Sequence, residues 1–216
     1  MDKRQRIIFT MLELVVKQGV YATPMSQVAK EANVAVGTIY HYFDNKQEIL
    51  EEIYKMINQD YGVVLMANLP DVDFKTQFEA ICQNLFNYYI GNPLAFKFME
   101  FVAVPPLMPK DLVEAVREYT AGLRDFFQKG IDEDHLRNDV ELRLLMQTAS
   151  GCITTAVKLK EMGAIELSEK EIKQVTEMAW DSIRTVSNKH LTLPTNDIEE
   201  REGGAQSLKQ ATTAEY

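Results

Sequence analysis

An all-α fold is predicted for this 216-residue chain by three features of its sequence. Apolar residues recur at three- and four-residue spacing in nearly every segment, no β-branched run is bounded by hairpin turns, and Gly, Pro and Asn stand where helices would have to end. With 46% hydrophobic and 25% charged residues, the chain is also long enough to bury a core of its own.

The first helix is expected from Asp2 to Gln18, burying Ile8, Met11, Leu12, Val15 and Val16, with Gly19 as its C-terminal stop. Thr23 is expected to cap a short second helix whose first position is Pro24, where a missing N–H costs nothing. Met25, Val28, Ala29 and Ala32 form its buried stripe, and Asn33 occupies the place of a left-handed terminator. Val34 to Val36 make a three-residue turn into a third helix, Gly37 to Phe43, with Ile39 and Phe43 inward. Asn45 and Glu48 have the spacing of a capping box opening a fourth helix, which should run to about Met66 and break at Asn68, Leu69 and Pro70.

Further helices are expected from Asp73 to Ile90, closed by Gly91, Asn92 and Pro93, and from Leu94 to Val104, stopped by Pro105 and Pro106. Asp111 to Ile131 reads as one long amphipathic helix. Val140 to Met162 and Ser168 to Ser187 follow around a loop at Gly163, the second opened by a Ser168/Glu171 capping box. From Leu191 the apolar period is lost, and residues 191–216 are expected to form a disordered tail.

Composition excludes several classes of function. The longest apolar run, Ile7 to Val16, is interrupted by Glu13 and is too short to span a bilayer. Lys3, Arg4 and Arg6 precede it as in a signal peptide, but the internal carboxylate and the lack of a small-x-small cleavage site point to a cytoplasmic protein with no membrane partner. Cys82 and Cys152, far apart within apolar stretches, suit reduced packed thiols. There is no Walker loop, Gly-x-Ser-x-Gly or His-Glu-x-x-His, and the three histidines are at 41, 135 and 190. Asp132 to His135 is the densest run of metal-capable side chains, yet consecutive positions splay around a helix end and lack the spaced acidic pattern of a calcium loop. No catalytic residue, metal ligand or cofactor is nominated, and an enzyme is not expected.

The net charge of −9 would repel a polyanion at long range, but it is unevenly spread. Residues 1–50 hold six Lys/Arg against five Asp/Glu, and 51–216 hold seventeen against twenty-seven. A near-neutral N-terminal unit with Lys3, Arg4 and Arg6 clustered at its start can still touch nucleic acid. Its two short helices, joined by a three-residue turn behind a longer one, are the arrangement that presents a helix to the DNA major groove.

The stretch from Thr23 to Leu50 resembles the N-terminal domain of the TetR family of bacterial transcriptional repressors, above all at Gly37-Thr38-Ile39-Tyr40, Tyr42-Phe43 and Lys46. The resemblance covers about residues 4–55; beyond it the helices match only in number and order. It implies an N-terminal three-helix helix-turn-helix DNA-binding domain over residues 1–50, with a fourth helix from about 46 connecting it to a helical bundle for dimerisation and ligand binding over 51–190. Thr23, Tyr40, Tyr42 and Lys46 would contact phosphates, and Ala35, Val36, Gly37, Thr38 and His41 would face base edges. The set facing the bases lacks Arg, Gln and Asn, which favours thymine methyl contacts and shape reading, hence an A·T-rich core half-site. The sequence departs from the family at Asn33, where Gly is common, and at Ala35, where a capping Ser or Thr is common.

A helix apolar on two sides must be covered on two sides. In the helix from Val140, the residues Leu142, Leu145, Met146, Ala149, Ile153, Ala156 and Val157 make one stripe, and Thr148, Cys152, Thr155 and Leu159 another. Thr148, Gly151, Cys152 and Thr155, with Ala179 and Ile183 of the following helix, are accordingly expected at a homodimer interface. The aromatic-rich stretch from Asp73 to Ile131 corresponds to the family's effector pocket; Phe86, Tyr89, Phe98, Met99 and Tyr119 are its expected lining, for a small apolar or amphipathic effector. The implied function is a repressor released from operator DNA by that effector. A helical protein-interaction module without DNA binding is the alternative from another class.

Overall fold

Helix α1 (Lys3–Gln18) starts at a complete capping box: the Asp2 carboxylate accepts from the Gln5 amide at 2.7 Å, and the Gln5 side chain accepts from the Asp2 amide at 3.2 Å. It ends at Gly19, whose φ of +84° suits a residue without Cβ. The computed structural model describes residues 1–104 and 107–185, so Pro105, Pro106, Val186 and the expected tail at 191–216 lie outside the described residues. Of the expected stripe of α1, Ile8, Met11, Leu12 and Val15 are buried and Val16 is only half-buried, while Ile7 and Leu14 are buried in addition.

Helices α2 (Met25–Glu31) and α3 (Val36–Tyr42) are joined through Asn33, which takes the left-handed conformation at φ +51° while the Val34 amide donates to the Ala29 carbonyl at 2.9 Å. Thr23 does not cap α2. Pro24 holds that position, and the Thr23 hydroxyl donates to the Gly19 carbonyl at 2.8 Å. Helix α4 (Lys46–Leu65) is capped by Asn45, which accepts from the Glu48 amide at 3.0 Å; Glu48 reaches back to the Asp44 amide at 2.6 Å, one residue earlier than in a closed capping box. Asn68, at φ +53°, turns the chain after it.

Helix α5 (Phe74–Gly91) is capped by Asp73, and α6 (Pro93–Phe101) carries Pro93 in its first turn. Helix α6 is shorter than expected, ending at Phe101, with Val102 as its C-cap. The long helix expected from Asp111 to Ile131 is instead three pieces: α7 (Lys110–Ala115), a 3-10 segment (Val116–Thr120) and α8 (Ala121–Asp132). The break lies against Gly62 of α4, where a Cβ would come within 1.8 Å of the Tyr119 carbonyl oxygen. The 3-10 segment can approach α4 this closely only because Gly62 has no side chain there. Apolar spacing continues through the segment, so periodicity alone does not reveal it.

Helices α9 (Leu142–Glu161) and α10 (Glu169–Ile183) pack against each other and against α5. The Ser168/Glu171 capping box opens α10 as the sequence predicts. Among the described residues the fold is helical, with one isolated bridge between Leu136 and Arg184. Phe74 stacks on Phe126 (4.4 Å) and on His135 (4.8 Å), whose imidazole also lies 3.5 Å from the Glu133 carboxylate of the acidic run. Helix α1 packs on α4 and α6, so the N-terminal helices share one continuous core with the rest, from Ile7 through Phe98 to Ile183.

Candidate functional sites

Helix α3 is anchored by two side chains and otherwise open. Ile39 is 0% and Phe43 2% exposed, whereas Tyr40 is 52%, Val36 41% and Tyr42 38% exposed. Ala35, Gly37 and His41 are also exposed, and Thr38 is half-buried. A Cβ on Gly37 would meet nothing within 4 Å, so no packing inside the chain demands glycine there. Ala35 gives its helix no side-chain cap, leaving the backbone bond from the Thr38 amide to the Ala35 carbonyl, 2.9 Å, to set the first turn. His41 and Tyr42 meet edge to face at 5.2 Å.

The residues around α3 are more committed than the sequence suggests. Thr23, expected at a phosphate, is 0% exposed with its hydroxyl turned inward, and so cannot make that contact from its side chain. Lys46 is half-buried and donates to the Val20 carbonyl at 3.0 Å, tying the start of α4 to the turn after α1 while two of its three donors stay free. Arg4 is held in an ion pair with Glu52 and lies over the Phe43 ring at 5.2 Å. Partial burial would raise the Glu52 carboxyl, but hydrogen bonds from Arg4 and Lys55 hold it below the usual range. Arg4 therefore braces α1 against α3 and α4. Tyr21, in the turn after α1, is 91% exposed, and sequence reasoning misses it because a single aromatic between two helices leaves no periodic signal.

A second surface lies on α9. Leu145, Ala149, Ile153, Ala156 and Val157 are buried, while the opposite side is uncovered: Leu144 is 55%, Leu159 38% and Met162 71% exposed. Thr148 and Thr155 are exposed on that side, and Gly151 and Cys152 half-buried. Ala179 and Ile183 do not belong to it. Both are 0% exposed, because α10 turns that stripe toward α5 and α9 of its own chain. The uncovered apolar residue of α10 is Met178, at 64%.

Between α4, α9 and the segment from α7 to α8 is a cavity of about 610 Å³. Tyr89 and Met99 line it as expected. Phe86 and Phe98 do not: both are 0% exposed within the core. Tyr119 is not in the lining either: its backbone lies against Gly62, and the residue is 41% exposed. Helix α4 contributes Tyr54, Ile57, Asn58 and Tyr61, and α9 contributes Leu142, Met146 and Ser150 among others. Burial raises the phenols of Tyr61 and Tyr89, and that of Tyr88 behind them up to about 12, so all three remain neutral donors. Arg117, Arg124, Arg143, Glu100 and Glu141 also line the cavity, and sequence periodicity pointed to none of them.

Among the described residues no three His, Cys, Asp or Glu side chains gather as a metal site, and no helix is long and apolar enough to cross a membrane.

Comparison with known proteins matches this architecture on both sides of α4. Residues 7–53 match the model of bacterial regulatory proteins of the tetR family, and residues 73–184 match that of the tetracyclin repressor-like C-terminal domain. An HTH-type transcriptional regulator of Haemophilus influenzae is 25% identical over 189 residues, covering 85% of this chain and 96% of the relative. A tetR family transcription regulator from Shewanella sp. PV-4 has a TM-score of 0.79 at 21% identity, covering 86% of this chain and all (100%) of that one. FadR of Bacillus subtilis, solved in complex with stearoyl-CoA, has a TM-score of 0.63 at 20% identity, covering 82% of this chain and 95% of that one. An exposed helix-turn-helix, an all-helical body and two family models that span most of the chain lead to one conclusion: the protein belongs to the TetR family and is a DNA-binding transcriptional regulator, not an enzyme.

Proposed function

We propose that the protein is a cytoplasmic repressor that grips operator DNA as a two-fold dimer and lets go when a small apolar or amphipathic molecule fills the cavity beside α4. The open face of α3 carries this reading: three large side chains, Val36, Tyr40 and Tyr42, are held in solvent by a helix whose Ile39 and Phe43 are locked inside. Tyr40, Tyr42 and the free donors of Lys46 then contact phosphates, joined by Tyr21 from the neighbouring turn, while Ala35, Val36, Gly37, Thr38 and His41 face the bases. With no Arg, Gln or Asn among them, these residues favour an A·T-rich half-site core. The uncovered side of α9, from Leu144 through Thr148, Gly151, Cys152 and Thr155 to Met162, together with Met178 of α10, forms the dimer contact, which sets the two α3 helices about 34–36 Å apart or a multiple of that. Residues to about 50 thus serve the operator, and the later helices dimerise and sense.

A mobility shift with DNA from immediately upstream of the protein's own gene, run over a salt series, tests the core of this. Affinity should fall steeply with salt as counterions are released. Tyr42→Phe should weaken binding by about fivefold on all sequences, as loss of one hydrogen bond does, whereas Val36→Ala should change the preference among them. Binding insensitive to salt and to both substitutions would favour a protein-interaction module. A guanine required at the centre of every selected half-site would refute the A·T-rich core.

A further inference from the structure

The charge around the cavity says more about its occupant than the cavity's size does. Arg117 from the 3-10 segment, Arg124 from α8 and Arg143 from α9 converge on a recess whose lining includes two acids, Glu100 and Glu141. Glu100 is engaged by Lys158 at 3.6 Å. Arg124 reaches only its neighbour Asp125, at 3.8 Å, and Arg117 and Arg143 pair with no carboxylate among the described residues. Glu141, the remaining acid, is the N-cap residue of α9, where the helix dipole favours its charge.

With Arg124 and Glu100 both engaged, two unpaired guanidiniums, Arg117 and Arg143, face one unpaired carboxylate, Glu141, a local excess of positive charge in a chain of net charge −9. The cations are solvent-exposed, whereas Tyr89, inside, is 8% exposed and neighbours Tyr61 and Met99. An apolar recess with unpaired guanidiniums at its solvent side matches a molecule that is apolar at one end and negatively charged at the other.

With the cavity taken as the effector site proposed above, we infer that the effector is an anionic amphiphile, its hydrocarbon part lying among Tyr61, Tyr89 and Met99 and its carboxylate or phosphate head bound by Arg117 and Arg143. Guanidinium is suited to this because its planar donor fork matches both anions in two-point fashion. An uncharged effector would leave the arginines unused, and a cationic one would be repelled.

The test is calorimetric titration of the full-length protein with decanoate, decanol, decyltrimethylammonium and decanoyl-CoA. Decanoate should bind at least about tenfold tighter than decanol, and the cation more weakly than either. In the Arg117→Met/Arg143→Met double variant the carboxylate-to-alcohol ratio should fall to near one with decanol binding retained. The charge-conserving Arg117→Lys/Arg143→Lys variant should keep a preference for the anion, and it supplies the test if the methionine variant does not fold. Decanoate and decanoyl-CoA separate a free carboxylate from a phosphate-bearing head, and tighter binding of either supports the inference. Equal affinity for decanoate and decanol, preference for the cation, or a ratio unchanged in the methionine variant overturns it. Leu123→Trp, which fills the cavity, tells the two failures apart. If it blocks decanol and decanoate alike while wild type does not distinguish them, the effector site stands and only the anion is lost. If no probe binds, or if Leu123→Trp changes nothing, the cavity itself is misassigned.

Discussion

The exposed face of α3 and the cavity beside α4 are assembled in opposite ways. The face is seven consecutive residues, Val36–Tyr42, held by Ile39 and the adjoining Phe43, so a local pattern specifies nearly all of it. The cavity draws on α4, α9 and the segment between α7 and α8, residues as distant in sequence as Tyr54 and Thr154. No window of sequence contains it. The face can therefore change by point substitution without disturbing the core, whereas the cavity changes with the packing of the whole body.

Phe43 gives the largest expected break in that contrast, because it anchors the face to the core and supports Arg4 as well. Phe43→Ala should cost about 3–5 kcal/mol in urea unfolding and abolish DNA binding at temperatures where wild type binds, although Phe43 itself touches no DNA. Retained operator affinity at normal stability would show that α3 is held by something else.

On the cavity side, Gly62→Val should cost about 1–3 kcal/mol by forcing the Tyr119 backbone off α4. Its signature is that effector affinity is lost more than operator affinity, measured by titration and mobility shift on the same preparation. Equal losses would mean that the two regions are not separable. Ala35→Ser should act in the opposite direction, adding the missing cap of α3 and stabilising it by about 0.5–1 kcal/mol, readable in amide exchange of Thr38 to Tyr40. No change in protection there would mean that the first turn is already fixed.

The smallest effect is electrostatic. The Glu52 carboxyl sits below its ordinary value when folded, so its pairing with Arg4 and Lys55 stabilises above that ordinary value and is lost as pH falls through the lowered folded one. The pair is partly exposed, and its effect should be slight. The melting-temperature gap between wild type and Glu52→Gln should narrow on acidification; a gap constant from neutral to acid pH would remove Glu52 from the brace.

The helices were legible because their signals are local: the Asn45 and Ser168 caps, the left-handed Asn33 and the buried pair Ile39 and Phe43 each depend on residues within a turn or two. Thr23 misled because a hydroxyl before a proline can bond forward to a helix or back to the preceding turn, and here Gly19 receives it. Ala179 and Ile183 misled because an apolar stripe announces that it is covered, not by which chain. The aromatic count pointed to the region of the cavity but drew in Phe86 and Phe98, since core and lining share a composition.

Sequence by itself thus determined the order of most helices and the short third helix, whose exposed positions carry no Arg, Gln or Asn. Tertiary structure alone decided that Tyr119 lies on Gly62, that Arg4 and part of Lys46 are spent on bracing, and that three arginines from separate elements meet at one recess. Helix and turn formation are governed by hydrogen bonds and side-chain contacts three or four residues apart, which a sequence displays directly. Which distant surfaces meet is set by the packing of the whole core, and no local spacing encodes that.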